Sequence, residues 1–216
     1  EEIHPTEIGV FDTLFATSTK NNTPKLTPRP FDKERDGLVI GEGAGTLILE
    51  DYEFAKARGA KILAEVAGFA TNTDGSHITN PNKDMMKEVM LMALENARIS
   101  PKEVGCVNAH GTATIQGDIA ETNAVFEAFK TSIPISTIKS YTGHTLGDSG
   151  AIEAILAVKM MEEKWFSPNL NLLTPDPACG DLDYITGSGR EIDSEYVMSN
   201  NFAFGGINTS LILKRI

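Results

Sequence analysis

An α/β layered fold with a largely parallel central sheet is what this sequence predicts. Short apolar runs alternate with segments of 3.6-residue period almost throughout, glycines and prolines mark the joins, and 216 residues with 41% hydrophobic side chains suffice for a buried core. Behind Pro5, which suits an early helical position, Ile8, Val10, Phe11, Leu14 and Phe15 recur at helical spacing, so residues 6–16 read as a helix. Residues 17–36 hold Pro24, Pro28 and Pro30 without usable periodicity, which predicts an irregular connection. Residues 38–40 and 46–49 read as two short buried strands around Gly41, Gly43 and Gly45. Asp51 is placed to cap a helix ending at Arg58-Gly59, where glycine permits a left-handed stop, and residues 62–69 return as a strand.

After a loop over 71–81, residues 84–98 carry Met85, Met86, Val89, Met92, Ala93 and Ala97 near helical spacing. These methionines are expected in the core rather than in a cofactor groove. A strand over 106–109, a helix over 118–129, a strand over 134–138, a helix over 149–164 and a closing pair over 196–200 and 210–213 complete the alternation.

Nineteen basic against 30 acidic side chains give a net charge of −11, the wrong sign for gripping a phosphate backbone, so nucleic acid is excluded as a default partner. An acidic ligand would need a local basic patch or helix N-termini. Two cysteines, Cys106 and Cys179, form no CxxC pair, which fits a reducing compartment. No apolar run reaches membrane-span length and the first residues lack a secretory pattern, so a cytoplasmic protein without membrane partners is expected. A chain opening on Glu1 rather than methionine suggests a fragment or processed piece.

Three loops that follow strands hold nearly all the unusual polar residues: 108–114 with His110, 139–147 with Lys139 and His144, and 200–208 with Phe202, Phe204, Gly205, Gly206 and Asn208. In a parallel sheet all three emerge at the carboxyl edge, where two histidines, a lysine and an aromatic loop can converge. Gly41-x-Gly43-x-Gly45 precedes a strand and lacks the spacing of a dinucleotide fingerprint, and no local ligand spacing supports a metal site.

His110-Gly111-Thr112 with Thr114, Asp118 and Glu121, then Lys139 with Gly143-His144-Thr145-Leu146-Gly147, then Phe202-x-Phe204-Gly205-Gly206-x-Asn208, in that order, resemble the β-ketoacyl-[acyl carrier protein] synthases. The segment from Phe31-Asp32 to Gly45 and residues 169–177 also look like this family. The resemblance implies a layered thiolase-like fold, with residues 1–58 as the tail of an N-terminal ketoacyl synthase half and 59–216 as the C-terminal half. It implies decarboxylative Claisen condensation of an acyl thioester with malonyl-acyl carrier protein, no cofactor beyond the carrier's phosphopantetheine arm, an acyl carrier protein as partner, and a homodimer.

By resemblance, His110 and His144 stabilise the malonyl enolate and Lys139 holds positive charge beside them. Thr112 and Thr114 offer hydroxyls to the phosphopantetheine amides. Phe202 and Phe204 shape an acyl pocket, Phe204 as a gate backed by Gly205 and Gly206, and Asn208 supports that loop. Asp118 and Glu121 are expected on the first turn of their helix, with Glu121 also anchoring the lysine loop, and Glu153 sits as a hydrogen-bonded carboxylate on a face of small residues. The family's nucleophilic cysteine belongs to the N-terminal half, and Cys106 reads as a buried hydrophobe, so the chain as given is expected to lack its nucleophile and to be inactive alone. A non-catalytic chain-length-factor-like or dimerisation partner is the alternative. Five positions depart from the pattern: Asp148-Ser149 replace two small apolar residues, Asn201 stands for serine, Ala203 for glycine and Ile207 for threonine.

Overall fold

The computed structural model describes every residue, Glu1–Ile216. Helix α1 (Pro5–Thr13) starts behind His4, whose ring accepts the Thr6 N–H, and stops early because Phe15 turns left-handed and fully outward. Helix α2 (Tyr52–Ala57) is capped by Asp51, which accepts the Phe54 N–H at 3.0 Å, and ends at Gly59 with φ +73°, as the sequence predicts. Strand β1 (Ala64–Thr73), helix α3 (Lys83–Ala97), strand β2 (Val104–Asn108), helix α4 (Ile115–Phe129) and strand β3 (Pro134–Ser136) follow in order. A single turn, α5 (Lys139–Thr142), leads to the long helix α6 (Ser149–Glu163). The short strands β4 (Trp165–Phe166), β5 (Asp183–Tyr184) and β6 (Arg190–Glu191) precede the long closing pair β7 (Tyr196–Ala203) and β8 (Ile207–Arg215).

Six strands form one sheet in the order β1-β8-β7-β2-β3-β5. Strands β7, β2, β3 and β5 run parallel, but β1 and β8 are antiparallel to their neighbours, so the sheet is mixed rather than largely parallel. The reason is local: Phe204-Gly205-Gly206 closes a tight turn, with the Gly206 N–H on the Ala203 carbonyl at 3.1 Å, and sends β8 back along β7. Helices α3 and α4 cover one face and α6 the other. Side chains sort by the strand period of two: Val107, Met198 and Ile212 point into the α3/α4 core, while Cys106, Val197 and Leu213 meet α6.

Two expected strands do not form. Residues 38–40 make only single bridges, Leu38 with Thr17 and Ile40 with His144, and residues 46–49 join no ladder. Leu47, Ile48 and Leu49 stand exposed, because an apolar run becomes a buried strand only where a neighbouring strand pairs with it. The buried stripe of α3 is Met86, Val89, Met90, Ala93 and Leu94, and Met92 lies outside it. The true 3.6 period runs through 86, 89, 90, 93 and 94, which places 92 on the solvent side. No helix is long and apolar enough to cross a membrane.

Met90 has no exposed surface, whereas Met92 is 39% exposed. Met90→Ala is therefore expected to cost about 2–5 kcal/mol and Met92→Ala less than about 0.5 kcal/mol, read as the shift in urea unfolding midpoint.

Candidate active site

Strands β2, β3 and β7 are adjacent or next-but-one and parallel, so the loops leaving their carboxyl ends meet above one edge of the sheet. A cavity of about 430 Å³ opens there, and His110, His144, Thr112, Thr114, Phe202 and Phe204 all line it. The imidazole centroids of His110 and His144 lie 5.1 Å apart in an edge-to-face arrangement, and the Phe202 ring is 6.2 Å from His110. The three segments that the sequence singles out thus share one space, although 200–208 is not a loop: β7 runs through Ala203 and β8 begins at Ile207, leaving only a three-residue turn.

Each histidine is held from behind. Both carboxylate oxygens of Glu121, on the second turn of α4, accept backbone N–H groups, from His110 and Gly111, each at 2.7 Å. Asp118 accepts the N–H groups of Phe31 at 2.7 Å and Ala113 at 3.1 Å and pairs with Arg35 at 3.4 Å. Glu121 therefore binds the histidine loop and not the lysine loop. Because α4 begins at Ile115, only Asp118 stands on its first turn. The direct partner of Lys139 is Glu153 on α6, whose other oxygen accepts the Asn201 amide at 2.5 Å. Lys139 and Glu153 are both buried, and the Lys139 ammonium also reaches Nδ1 of His110 at 3.2 Å.

His144 is fixed by the extended residues 38–41. Its N–H donates to the Val39 carbonyl at 2.7 Å, and its carbonyl accepts the Gly41 N–H at 2.9 Å. A Cβ on residue 41 would lie 2.2 Å from the Thr142 carbonyl oxygen, so only glycine permits this approach. The glycine-rich segment serves the histidine loop rather than a phosphate.

The ring nitrogens are distinguishable by their partners. Nδ1 of His144 accepts the Leu146 N–H at 3.2 Å, which leaves the proton on Nε2. Nδ1 of His110 faces an ammonium donor, which leaves its proton on Nε2 as well. Burial, and then the Lys139 charge, push His144 down to about 3. Burial, then Lys139, then His144 hold His110 well below the usual imidazole range. Burial raises the Glu121 carboxyl to about 8 against its two N–H donors, raises Asp118 to about 6 against Arg35, and raises Glu153 against Lys139. The result is two neutral imidazoles, each with one N–H donor, beside a buried cation. Such a pair can hydrogen-bond one oxygen on which negative charge develops.

Thr112 and Thr114 place their hydroxyls 3.0 Å apart, bonded to each other. The Phe204 ring packs against Phe11 of α1 with centroids 5.5 Å apart and planes tilted by 39°. Gly205 and Gly206 both have positive φ in the turn that carries Phe204. Ala203 does not adopt positive φ and pairs in register with Ile207, so its methyl is unstrained. Asn208 lies away from the cavity lining, donating to Asn72 of β1 at 3.0 Å. Cys106 and Cys179 are buried, and burial pushes both thiols up, Cys179 to about 11, so neither is activated as a thiolate. Phe11, His77 and Thr79 also line the cavity. Sequence reasoning passed over them, although His77 is one of only four histidines and sits in a loop.

The family description "Beta-ketoacyl synthase, C-terminal domain" matches residues 63–173, and "Beta-ketoacyl synthase, N-terminal domain" matches residues 1–55. The 3-oxoacyl-[acyl-carrier-protein] synthase 2 of Vibrio cholerae is 43% identical over 98% of this chain and 53% of its own length. A β-ketoacyl synthase from Burkholderia phymatum is 57% identical with a TM-score of 0.99, covering 100% of this chain and 53% of that one. A type II polyketide acyl carrier protein in complex with its ketosynthase, bound to the hexaketide, provides a match with 39% identity and a TM-score of 0.95, over 100% of this chain and 54% of that one. The chain thus spans about half the length of the curated relatives it matches.

Removing the Lys139 amine alone strands the Glu153 carboxylate. Lys139→Met is expected to destabilise the fold by about 3–5 kcal/mol, with Lys139→Met/Glu153→Leu recovering most of it in urea unfolding. The histidines give a pH dependence of definite sign. A base depressed from 6.5 to about 3 binds its proton only in the unfolded chain across that interval, so stability is lost as pH falls below 6.5. Relative to His144→Gln, the wild type should lose about 1.4 kcal/mol more per pH unit between pH 6 and 4.5, measured by urea unfolding at each pH.

Proposed function

The chain belongs to the β-ketoacyl synthase family, and from that membership we propose that it supplies the decarboxylation site for condensing an acyl thioester with malonyl-acyl carrier protein. The observation that carries the reading is the pair of neutral imidazoles 5.1 Å apart, with Lys139 behind His110. In this scheme the bond between the malonyl α-carbon and its carboxylate breaks and carbon dioxide leaves. The electron pair moves onto the thioester oxygen, where the Nε2–H groups of His110 and His144 receive it. The enolate carbon then attacks the carbonyl of an acyl thioester and the thiolate departs. Neutral rings matter because each must keep a donor while leaving the malonyl carboxylate unpaired and ready to go.

The acyl-carrying cysteine is proposed to lie outside these 216 residues, in agreement with the two buried, unactivated thiols present. Residues 1–58 are taken as the tail of the N-terminal ketoacyl synthase half and 59–216 as the C-terminal half. Thr112 and Thr114 would meet the phosphopantetheine amides of the carrier, and Phe204 would gate the acyl end of the cavity from its two-glycine turn. With a net charge of −11, an acidic carrier would have to dock on a local basic patch. The intact arrangement of both histidines with Lys139 favours the catalytic reading over a chain-length-factor-like partner.

In the full-length protein, His110→Ala or His144→Ala is expected to slow carbon dioxide release from a malonyl thioester by about 100- to 1000-fold. Release at near wild-type rate in either variant would refute the assignment.

A further inference from the structure

The structure gives the Ser149 hydroxyl a defined place beside His144. Ser149 is buried on the first turn of α6, with Oγ 3.2 Å from Nδ1 of His144 and 3.1 Å from Oγ1 of Thr145, which is buried too. Nδ1 already accepts the Leu146 N–H, so it carries no proton and the Ser149 hydroxyl facing it has to donate. With its single proton committed to the ring, Ser149 has to accept from Thr145. The direction of the chain is thereby fixed: Thr145 donates to Ser149, and Ser149 to His144. The neighbouring Asp148 carboxylate is buried and takes no hydrogen bond, so neither hydroxyl is diverted to it.

We propose that Ser149 and Thr145 are positioning residues, a polarised pair of hydroxyls that loads Nδ1 of His144 with a second donor and holds its Nε2–H in one direction. The kinetic part of this proposal rests on the decarboxylation reading above; the hydrogen-bond part does not. Two donors on Nδ1 oppose protonation there and resist rotation of the ring, so the N–H that meets developing charge needs no reorganisation when the charge appears. A small apolar residue at 149 would leave Leu146 as the only donor.

The test is nitrogen NMR of the histidine-labelled chain at neutral pH together with steady-state kinetics of the full-length protein. In Ser149→Ala the Nδ1 resonance of His144 is expected to move towards that of a nitrogen accepting fewer hydrogen bonds, and Ser149→Thr to restore it. Thr145→Val, which keeps the shape and removes the hydroxyl, should move it less and in the same direction. For malonyl-thioester decarboxylation, Ser149→Ala should lower kcat roughly three- to tenfold with little change in KM, and Ser149→Thr should recover it. An Nδ1 resonance unmoved by Ser149→Ala overturns the relay, and a moved resonance with unchanged kcat overturns the positioning role. If the wild-type protein releases no carbon dioxide, the decarboxylation reading fails and the positioning role with it, while the resonance still decides whether the relay exists.

Discussion

One buried cation organises the cavity. Lys139 is almost wholly enclosed, pairs with Glu153 and touches Nδ1 of His110. Taking both charges out of water costs several kcal/mol per ion, and well-packed apolar residues would often be as stable. The pair therefore has to be understood through its neighbours. The ammonium fixes the donor nitrogen of His110 and depresses protonation of both rings, an effect no methyl group could supply. Glu153 is the reason the ammonium stays in place, and Asn201 is the reason Glu153 does.

The sheet explains how residues 29 positions apart come to share one hydrogen bond. β2 and β3 are adjacent and parallel, joined by the crossover through α4, so His110 and Lys139 leave neighbouring strand ends on the same edge. β7 lies on the other side of β2 and delivers Phe202 and the turn of Phe204 to that edge. The antiparallel return of β8 is part of the same device, because a tight turn at a sheet edge is how an aromatic ring can be presented without a long loop.

Much of this was legible from residue order, and the failures share a cause. Helices α3, α4 and α6 were readable because burial of one face imposes a local period, and Asp51 and Gly59 were readable because caps act within four residues. The three loops were readable through their composition and their resemblance to a family. By contrast, residues 46–49 have the composition of a strand, but strand formation is decided by a partner that the period cannot reveal. Glu121 and Glu153 were recognised as carboxylates near the site, yet which one serves the histidine loop and which serves the lysine depends on contacts 10 and 14 residues away. The spacing around Gly41 argues against a dinucleotide loop, but what the glycine does serve, the close approach of the Thr142 carbonyl, depends on a contact about a hundred residues away.

The same buried groups make the cavity's response to pH smaller than its parts suggest. Between pH 6.5 and 4.5 the two depressed histidines make the unfolded chain the better proton binder, so their contribution falls with acidification. Glu121 and Asp118 act oppositely: with native values raised to about 8 and about 6, they make the folded chain the better binder over the same interval. Glu153, raised by burial as well, acts in the same sense as these two, so the carboxyls oppose the slope that the rings impose. Above pH 6.5 the rings impose little slope, while Glu121 goes on lowering stability as pH rises towards its native value near 8, beyond which its cost stays constant. Neutral imidazoles and buried carboxylates are thus complementary requirements: the carboxylates that hold the histidine backbone also buffer the stability cost of keeping the rings uncharged.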